Sequence, residues 1–269
     1  YHHRGGNPFW HTHTFQRNRT LEKRRRSGDH DPRKNRWAVS ELLALNMKPQ
    51  VTVLTTVYNG LPYLAEAIKS ILNQTWTDFE FLIVDDASTD NSLECILSYK
   101  DPRIRVIQNH HNIGQAASLN EGLQLARGGL IARLDQDDVS LPNRLEEQIR
   151  FLERHSTVSI VCSWEYTIDS DGKKVREWKN SLDNYGVFLG YLLLGLCPVW
   201  HPSVMFRKDT ILGLGGFDAS YAPAEDYELW SRMAMQRLSA AIVPQFHLLQ
   251  RVHPKRQSVL QGGKQVDST

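Results

Sequence analysis

Apolar residues in this chain fall into short blocks of two alternating kinds. Val51-Thr52-Val53-Leu54-Thr55-Thr56-Val57 is β-branched almost throughout, the composition of a buried strand. Tyr58-Asn59-Gly60 then turns the chain into residues 61–73, where Leu64, Ala67, Ile68, Ile71 and Leu72 recur at helical spacing. The alternation continues. Residues 79–84 and 104–108 read as strands, separated by a helix that Ser88 or Asp90 can cap. Asn112-Ile113-Gly114 opens a helix to about residue 126, residues 130–134 form a fourth strand, and Leu141-Pro142 starts a helix to about residue 155. Strand and helix in this rhythm predict an α/β fold: a mainly parallel sheet with helices on both faces.

The second half is less regular. Residues 158–164 read as a strand, and 166–168 with 173–177 as a hairpin around Asp171-Gly172. Residues 182–196 read as an apolar helix covering the core or an acceptor site, and 203–207 as a strand. A glycine-rich turn at 213–217 precedes a helix over 225–236 with Leu229, Trp230 and Met233 inward. Residues 240–243 and 246–252 predict two last strands, and no internal repeat is visible.

Composition narrows the class. The chain has 269 residues, 41% hydrophobic and 23% charged, enough for one large α/β domain. Its net charge of +2 gives no sign of nucleic-acid binding. Cys95, Cys162 and Cys197 are far apart and form no CxxC pair, which favours a reducing compartment over a disulfide framework or a zinc site. The longest apolar run, 187–200, is broken by Gly190, Gly195 and Pro198, so it is too short to span a bilayer. No secretory signal is seen, and a cytoplasmic location is expected. The chain begins at Tyr1 without an initiator methionine, as a fragment or an over-extended reading frame would.

Residues 1–48 differ from the rest. Eleven Lys/Arg stand against four acids, with little periodic apolar pattern, so a disordered basic tail is expected there. The folded domain is expected over 49–258, with a fraying tail at 259–269.

The candidate chemistry is acidic. Residues 130–134 run straight into Asp135-Gln136-Asp137-Asp138. Three carboxylates that close repel one another unless a cation joins them. Hard oxygen ligands suit Mg²⁺ or Mn²⁺, commonly bound by carboxylates together with substrate phosphates. A second pair, Asp85-Asp86, ends another strand, and Glu225-Asp226 follows the glycine-rich turn. Neither GxxxxGK nor GxGxxG follows the first strand, so a nucleotide here would be held by metal and carboxylates without a glycine cradle.

In order along residues 51–258, these elements resemble the inverting family 2 glycosyltransferases of the GT-A fold. Thr56-Val57-Tyr58-Asn59 matches the family's first nucleotide contacts. Asp85-Asp86-Ala87-Ser88-Thr89-Asp90 matches DDxSxD, and Asn112-Ile113-Gly114 with Ala117 and Asn120-Glu121-Gly122 matches NxGxxxAxNxG. Asp135-Gln136-Asp137-Asp138 matches DxDD, followed by Pro142 and Arg144-Leu145-Glu146. His201-Pro202-Ser203, then Gly215-Gly216-Phe217-Asp218 and Glu225-Asp226-Tyr227-Glu228-Leu229-Trp230, match HPS, GGFD and EDxxLW. Arg251 and His253 with Ser258 match a terminal RxH…S element. One departure stands out: many relatives carry Arg before the Asn of the third motif, where this chain has Leu119.

The resemblance implies a hexosyl- or N-acetylhexosaminyltransferase of glycan or cell-envelope polysaccharide synthesis. Its donor would be a nucleotide-sugar, UDP-linked by expectation, and its acceptor a glycan or lipid-linked sugar. A peripheral contact with the cytoplasmic membrane face stays open. Donor contacts would come from Thr56, Val57, Tyr58, Asn59, Asp85, Asp86, Asn112, Gly114, Asp135, Gln136 and Asp137. Asp137 and Asp138, with His253 as a further ligand to weigh, would hold the metal. Asp226 would be the general base, oriented by Glu225. Trp200, His201 and Trp230 would line the acceptor side, although Trp230 at helical spacing also fits the core. Two rivals remain at this stage. A sugar nucleotidyltransferase of the same fold would carry a Gly-rich, Arg/Lys-bearing loop after the first strand, which Thr56 to Gly60 lacks. A non-catalytic binding module would not require Asp226 beside an intact acidic motif.

Overall fold

The computed structural model describes residues 48–182, 184–254 and 256. The basic tail and the expected C-terminal fray lie outside the described residues, as does Ser258. The described residues form a nine-stranded mixed sheet with helices on both faces, in which β1 (Val51–Val57), β2 (Phe79–Asp85), β3 (Ile104–Gln108) and β4 (Leu130–Arg133) alternate with α1 (Leu64–Leu72), α2 (Ser92–Ser98) and α3 (Gln115–Leu125). Then follow β5 (Val139–Ser140), α4 (Arg144–Arg154), β6 (Val158–Ile168), β7 (Lys174–Trp178) and α5 (Tyr185–Leu193). The last elements are β8 (Met205–Arg207), α6 (Lys208–Gly213), α7 (Glu225–Met235) and β9 (Ser239–Arg251). Strand order is β3-β2-β1-β4-β8-β6-β9-β5, with β7 added to β6. The β3-β2-β1-β4 block is parallel; β8 joins antiparallel, and β6 and β9 pair parallel with each other.

The parallel block explains its own sequence. Strands covered on both faces read as unbroken apolar runs. Leu54, Leu82 and Val84 face a core built with Leu119 and Leu123 of α3 and Leu229, Trp230 and Met233 of α7. Val51, Val53, Phe81 and Ile83 face the other core, with Leu64, Ile68 and Ile71 of α1 and Leu145 and Ile149 of α4. Helix α3 lies so close to the sheet that a Cβ on Gly122 would sit 2.4 Å from Leu54 Cδ1, so glycine is required at this crossing.

Several expected boundaries move. The strand at 158–164 and the first arm of the hairpin are one strand, β6, and the two final strands are one, β9, with register irregularities around Ser163–Glu165. Both strands are paired along their lengths, which carries them through their polar residues. The apolar helix expected at 182–196 shortens to α5. The Asn184 side chain accepts from Val187 N at 3.1 Å and starts it. Gly195, at φ 74°, ends it: Leu196 N bonds Tyr191 O and Gly195 N bonds Leu192 O, the Schellman pattern. The strand expected at 203–207 begins only at Met205, because residues 201–203 coil into a 3-10 turn. The short β5 and α6 have no periodicity to announce them. Among the described residues no helix is long and apolar enough to cross a membrane.

One buried carboxylate stitches the parallel block together. Glu80 on β2 is 5% exposed; it accepts from Thr52 Oγ1 at 2.8 Å and from Arg127 N at 2.9 Å, and it pairs with Arg105 at 2.5 Å. Thr52 Oγ1 in turn accepts from Gly128 N at 2.8 Å. Replacing Glu80 with Ala strands these donors, at about 1–3 kcal/mol for each buried group left unmet. Thermal denaturation of Glu80→Ala is expected to show a melting temperature lowered by about 2–4 °C per kcal/mol lost; an unchanged melting curve would remove this role for Glu80.

Candidate active site

The carboxyl ends of β1, β2 and β4 meet at one edge, where open α/β sheets bind ligands. The turn after β1 is bolted to its neighbours by side chains. Asn59, at φ 52°, takes Thr89 N at 2.8 Å and Asp90 N at 3.2 Å on its Oδ1, and Asn59 N donates to Ser88 Oγ at 3.1 Å. Gly60 N donates to Ser92 Oγ at 2.8 Å. On the other side, Gln136 Oε1 accepts from Tyr58 N at 2.9 Å, and Gln136 Nε2 donates to Tyr58 O at 3.3 Å. Three loops from three strands thus form one rim, with the Tyr58 ring exposed on it.

Asp85 and Asp86 lie buried beneath that rim. Asp86 accepts from Asn109 Nδ2, Ile113 N and Gly114 N at 2.8–2.9 Å, which folds the 109–114 turn against β2. A carboxylate offers about four lone-pair sites, so one remains for a ligand. Asp85 Oδ1 has no partner at all. Burial pushes its carboxyl above the usual carboxylate range, against the pull of Ser88.

Asp135, Asp137 and Asp138 each bring a carboxylate oxygen to within 4.8 Å of the others. The fold fixes them with cations and donors from behind. Arg133, buried in β4, pairs with Asp135 at 2.6 Å and also donates to Leu134 O. The Asp135 carboxyl is partly buried, and desolvation is the largest single influence on it, but Arg133, His201 and Arg256 together outweigh that and hold it below its ordinary value. Asp138 takes Arg251 N at 2.8 Å on Oδ1, while its buried Oδ2 has no partner. Burial and the neighbouring Asp137 push the Asp138 carboxyl well up. His253 Nε2 lies 2.8 Å from Asp137 Oδ2. Arg256 completes the set: burial disfavours its charge, but Asp138, Asp137, Asp135 and Glu165 together raise its pKa. An all-oxygen donor set with an orphaned buried carboxylate oxygen fits a hard divalent cation.

Across the rim, α7 begins with Glu225 and Asp226. Its start is held by the glycine turn at Gly215 and Gly216, to which Arg232 donates through Leu214 O and Gly216 O at 2.5 and 2.7 Å. Asn120 grips the same turn, accepting from Phe217 N at 2.8 Å and donating to Phe217 O at 2.7 Å. Burial pushes the Asp226 carboxyl up to about 7, with Glu225 and Asp135 adding to the rise. Burial also raises Glu225, whose Oε2 has no partner. His201 sits in the 3-10 turn that Gln148 and Arg144 hold through Ser203 O and Val204 O. Burial and the Arg133 charge push its imidazole down to about 3, so it is neutral at working pH.

The expected residues divide into two groups. Thr56, Tyr58, Asp85, Asp86, Gly114, Asp135, Asp137, Asp138, His201, His253, Glu225 and Asp226 gather around this edge. Gln136 and Asn59 spend their side chains on loop geometry, and Val57 is fully buried, giving its carbonyl to Asp86 N at 2.7 Å. Asn112 is exposed and turns its Oδ1 to Gly114 N at 3.1 Å. Of the two readings of Trp230, the inward one at helical spacing holds: at 0% exposure it belongs to the core, and the acceptor-side reading is corrected. Trp200 is half-buried beside His201. Leu119 is core, so the cations near the carboxylates are Arg133 and Arg256 instead. The sequence did signal Arg133, a charge inside a buried apolar strand that must have a partner.

Comparison with known proteins agrees with this fold. The family model "Glycosyl transferase family 2" matches residues 52–212. An uncharacterised glycosyltransferase of Methanocaldococcus jannaschii is 37% identical over 217 residues, covering 79% of this chain and 74% of the relative. One of Haemophilus influenzae is 30% identical over 201 residues, covering 69% and 60%. Among solved structures, S. aureus TarS 1–349 in complex with UDP superposes with TM-score 0.62 at 20% identity, over 76% of this chain and 61% of that one. The mannosyltransferase PcManGT from Pyrobaculum calidifontis, in complex with GDP-Man and Mn²⁺, gives 0.60 at 22% identity, over 79% and 59%. The sheet order, the acidic edge and the sequence match lead to one placement: the chain is a GT-A-fold glycosyltransferase and belongs to glycosyl transferase family 2.

Proposed function

We propose that this enzyme transfers a sugar from a nucleoside-diphosphate sugar, UDP-linked by expectation, to a hydroxyl of a glycan or lipid-linked acceptor, with inversion at the anomeric carbon. The observation that carries this reading is Asp226, a carboxylate whose pKa of about 7 sits on the same edge as the three-aspartate cluster. A general base works best when its pKa lies near the operating pH. The acceptor oxygen forms a bond to the anomeric carbon as its proton passes to Asp226. The bond from that carbon to the diphosphate oxygen breaks, and the nucleoside diphosphate leaves with the electron pair. Glu225, next in the chain, orients the base. His201 stays neutral and shapes the wall beside Asp135.

On the donor side, Asp85 and the spare lone pair of Asp86 accept from base and ribose, and Tyr58 offers an exposed ring at the rim. Asp137 and Asp138, with His253 beside Asp137, would hold a divalent cation, Mn²⁺ or Mg²⁺. When bound, that cation neutralises the leaving diphosphate. Arg133 keeps Asp135 ionised and fixed in direction. The neighbours solved with UDP and with GDP-Man and Mn²⁺ support a nucleotide-sugar donor as a class. The nucleotidyltransferase reading loses ground because the loop after β1 is tied down by Asn59 and Gln136 and carries no basic side chain.

Metal and nucleotide are expected to bind together. In Asp138→Asn, an amide oxygen can keep the Arg251 N bond while one like charge leaves the cluster. Its melting temperature in EDTA is expected at or above that of the wild type, while the rise that Mn²⁺ with UDP gives the wild type is lost. Wild-type UDP affinity measured by calorimetry in EDTA would remove the metal from the mechanism.

Asp226 is expected to matter for the chemical step and little for donor binding. Its carboxyl is raised, so the ionised, proton-accepting form is lost as pH falls below about 7. The wild-type kcat/KM is therefore expected to rise with pH through that value. Asp226→Asn is expected to lose about 10²–10⁴-fold in kcat, and that limb with it, while donor affinity stays within a few-fold. Wild-type turnover by Asp226→Asn would place the base elsewhere.

A further inference from the structure

Beside the carboxylates, the β6–β7 ladder carries side chains that neither the fold nor the chemistry above uses. Its register sets Glu165 opposite Trp178 and Thr167 opposite Arg176. Cross-strand partners leave a sheet on the same side, so these four share one face. Trp178 is oriented there by its Nε1, which donates to Thr167 Oγ1 at 3.0 Å, and the Arg176 guanidinium stacks 3.5 Å from its ring centroid. The Trp200 ring stands 5.3 Å from that of Trp178, with the two planes at 49°. Both indoles are only half-buried, and together they form an open wedge. The opposite face of the same strands contrasts with this one. There Tyr166 stacks on Phe246 at 3.9 Å and is capped by Lys174 at 3.5 Å, so its aromatic surface is already taken.

Glu165 supplies the polar half of the site. It is 0% exposed, and its Oε2 has no hydrogen-bond partner. With the Gln250 amide oriented to satisfy its neighbours, Gln250 Nε2 donates to Glu165 Oε1 at 3.2 Å and its oxygen accepts from Arg256 at 2.8 Å. A buried carboxylate oxygen left unpaired is costly, so a ligand hydroxyl would be well received. Burial pushes this carboxyl up to about 8, with Arg256 pulling it down and Asp135 pushing it further up. Those two charges are part of the acidic edge, and Trp200 leads directly into His201, which also feels Asp135. Gln250, which links Glu165 to Arg256, also precedes Arg251, whose N–H holds Asp138 at 2.8 Å, so the carboxylate lies next to the acidic edge.

We infer that this face is the acceptor subsite, and that its ligand is a saccharide whose apolar ring face lies on Trp178 and Trp200 while Glu165 binds one of its hydroxyls. The inference rests on the transferase reading above; it adds Trp178 and Glu165 to Trp200 and says how a saccharide acceptor would sit on them. A pyranose has the matching chemistry: a C–H-rich face for an indole and hydroxyls around its edge for a carboxylate.

The test uses the full chain with Mn²⁺ and UDP, so that no turnover occurs. Cellotetraose, chitotetraose and mannotetraose are titrated while tryptophan fluorescence and saturation-transfer NMR are read. At least one tetrasaccharide is expected to bind the wild type. Trp178→Ala is expected to weaken it about tenfold or more, Trp178→Phe less, and Glu165→Gln several-fold. UDP affinity is expected within twofold of wild type in all three variants, which also shows that they are folded. Normal UDP binding with no response to any of the three sugars would overturn the acceptor inference and leave the transferase reading standing. So would wild-type sugar affinity in Trp178→Ala. Absence of UDP binding by the wild type would overturn the UDP-linked donor of the proposed function, and the sugar titrations would still decide the acceptor face.

Discussion

The constraint on which the structure depends is the repulsion among Asp135, Asp137 and Asp138. Their oxygens lie within 4.8 Å of one another. At that spacing each like-charge pair costs roughly 3–4 kcal/mol at an effective dielectric constant near 20. The fold holds them there by surrounding them with positive charge and donors from four directions. Arg133 reaches out of β4 to Asp135. Arg251 ends β9 and clamps the loop through its own N–H to Asp138 and its Nε to Asp137 O at 3.1 Å, and its other arm reaches Glu66 of α1. His253 and Arg256 follow from the same strand end. The strand order serves this purpose: β9 runs parallel to β6 and delivers its carboxyl end to the acidic loop of β4.

That arrangement makes β9 part of the acidic edge and not a mere closing element. Arg251 is 2% exposed, and its guanidinium also meets Asp169 O at 3.2 Å and lies 4.5 Å from the centre of the Tyr63 ring. One side chain thereby joins α1, the β4 loop, the turn before β7 and β9. Sequence distances of 82 to 185 residues separate these partners. Such long-range closure is entropically costly to form, so the site assembles only when the whole sheet is in place.

How much of this was legible in the sequence follows from the same physics. The parallel block was readable because both its faces are covered, which forces continuous apolar runs such as Val51–Val57. The acidic edge was readable because like charges in a row need a reason. What could not be read was which polar side chains serve structure. Gln136 stands inside the acidic motif yet holds Tyr58, and Asn59 stands in the first loop yet holds Thr89 and Asp90. Nothing in a one-dimensional pattern separates a side chain that meets a ligand from one that meets a backbone amide 78 positions away. The same limit applied to the tryptophans. Helical spacing already turned Trp230 inward, but only packing sets Trp200 beside Trp178. The polar interruptions in β6 and β9 broke the expected strands because the alternation there reflects two uses of one sheet. One face is packed with stacked aromatics, and the other carries Glu165 and Trp178.

Charge placement also divides the edge into two halves with opposite demands. On the side of the three aspartates, Arg133 and Arg256 pull carboxyl pKa values down; Asp135 is held low, whereas burial and Asp137 keep Asp138 well up. On the other side, Asp226, Glu225 and Glu165 have no cation at bonding distance among the described residues. Burial raises all three, two of them to about 7 and about 8. Groups raised in this way stabilise the fold when protonated and cost it stability as pH rises through their folded values. A carboxylate that must take a proton from a hydroxyl has to be kept out of strong ion pairs, because a salt-bridged aspartate is too weak a base. Under the proposed function, the arginines would stand on the side that meets the diphosphate, and the raised carboxylates on the side that meets the acceptor, where Arg133 and Arg256 act only from a distance. Leu119 fills the core, and the arginines that bear on the three aspartates come from elsewhere, Arg133 from β4 and Arg256 from beyond β9.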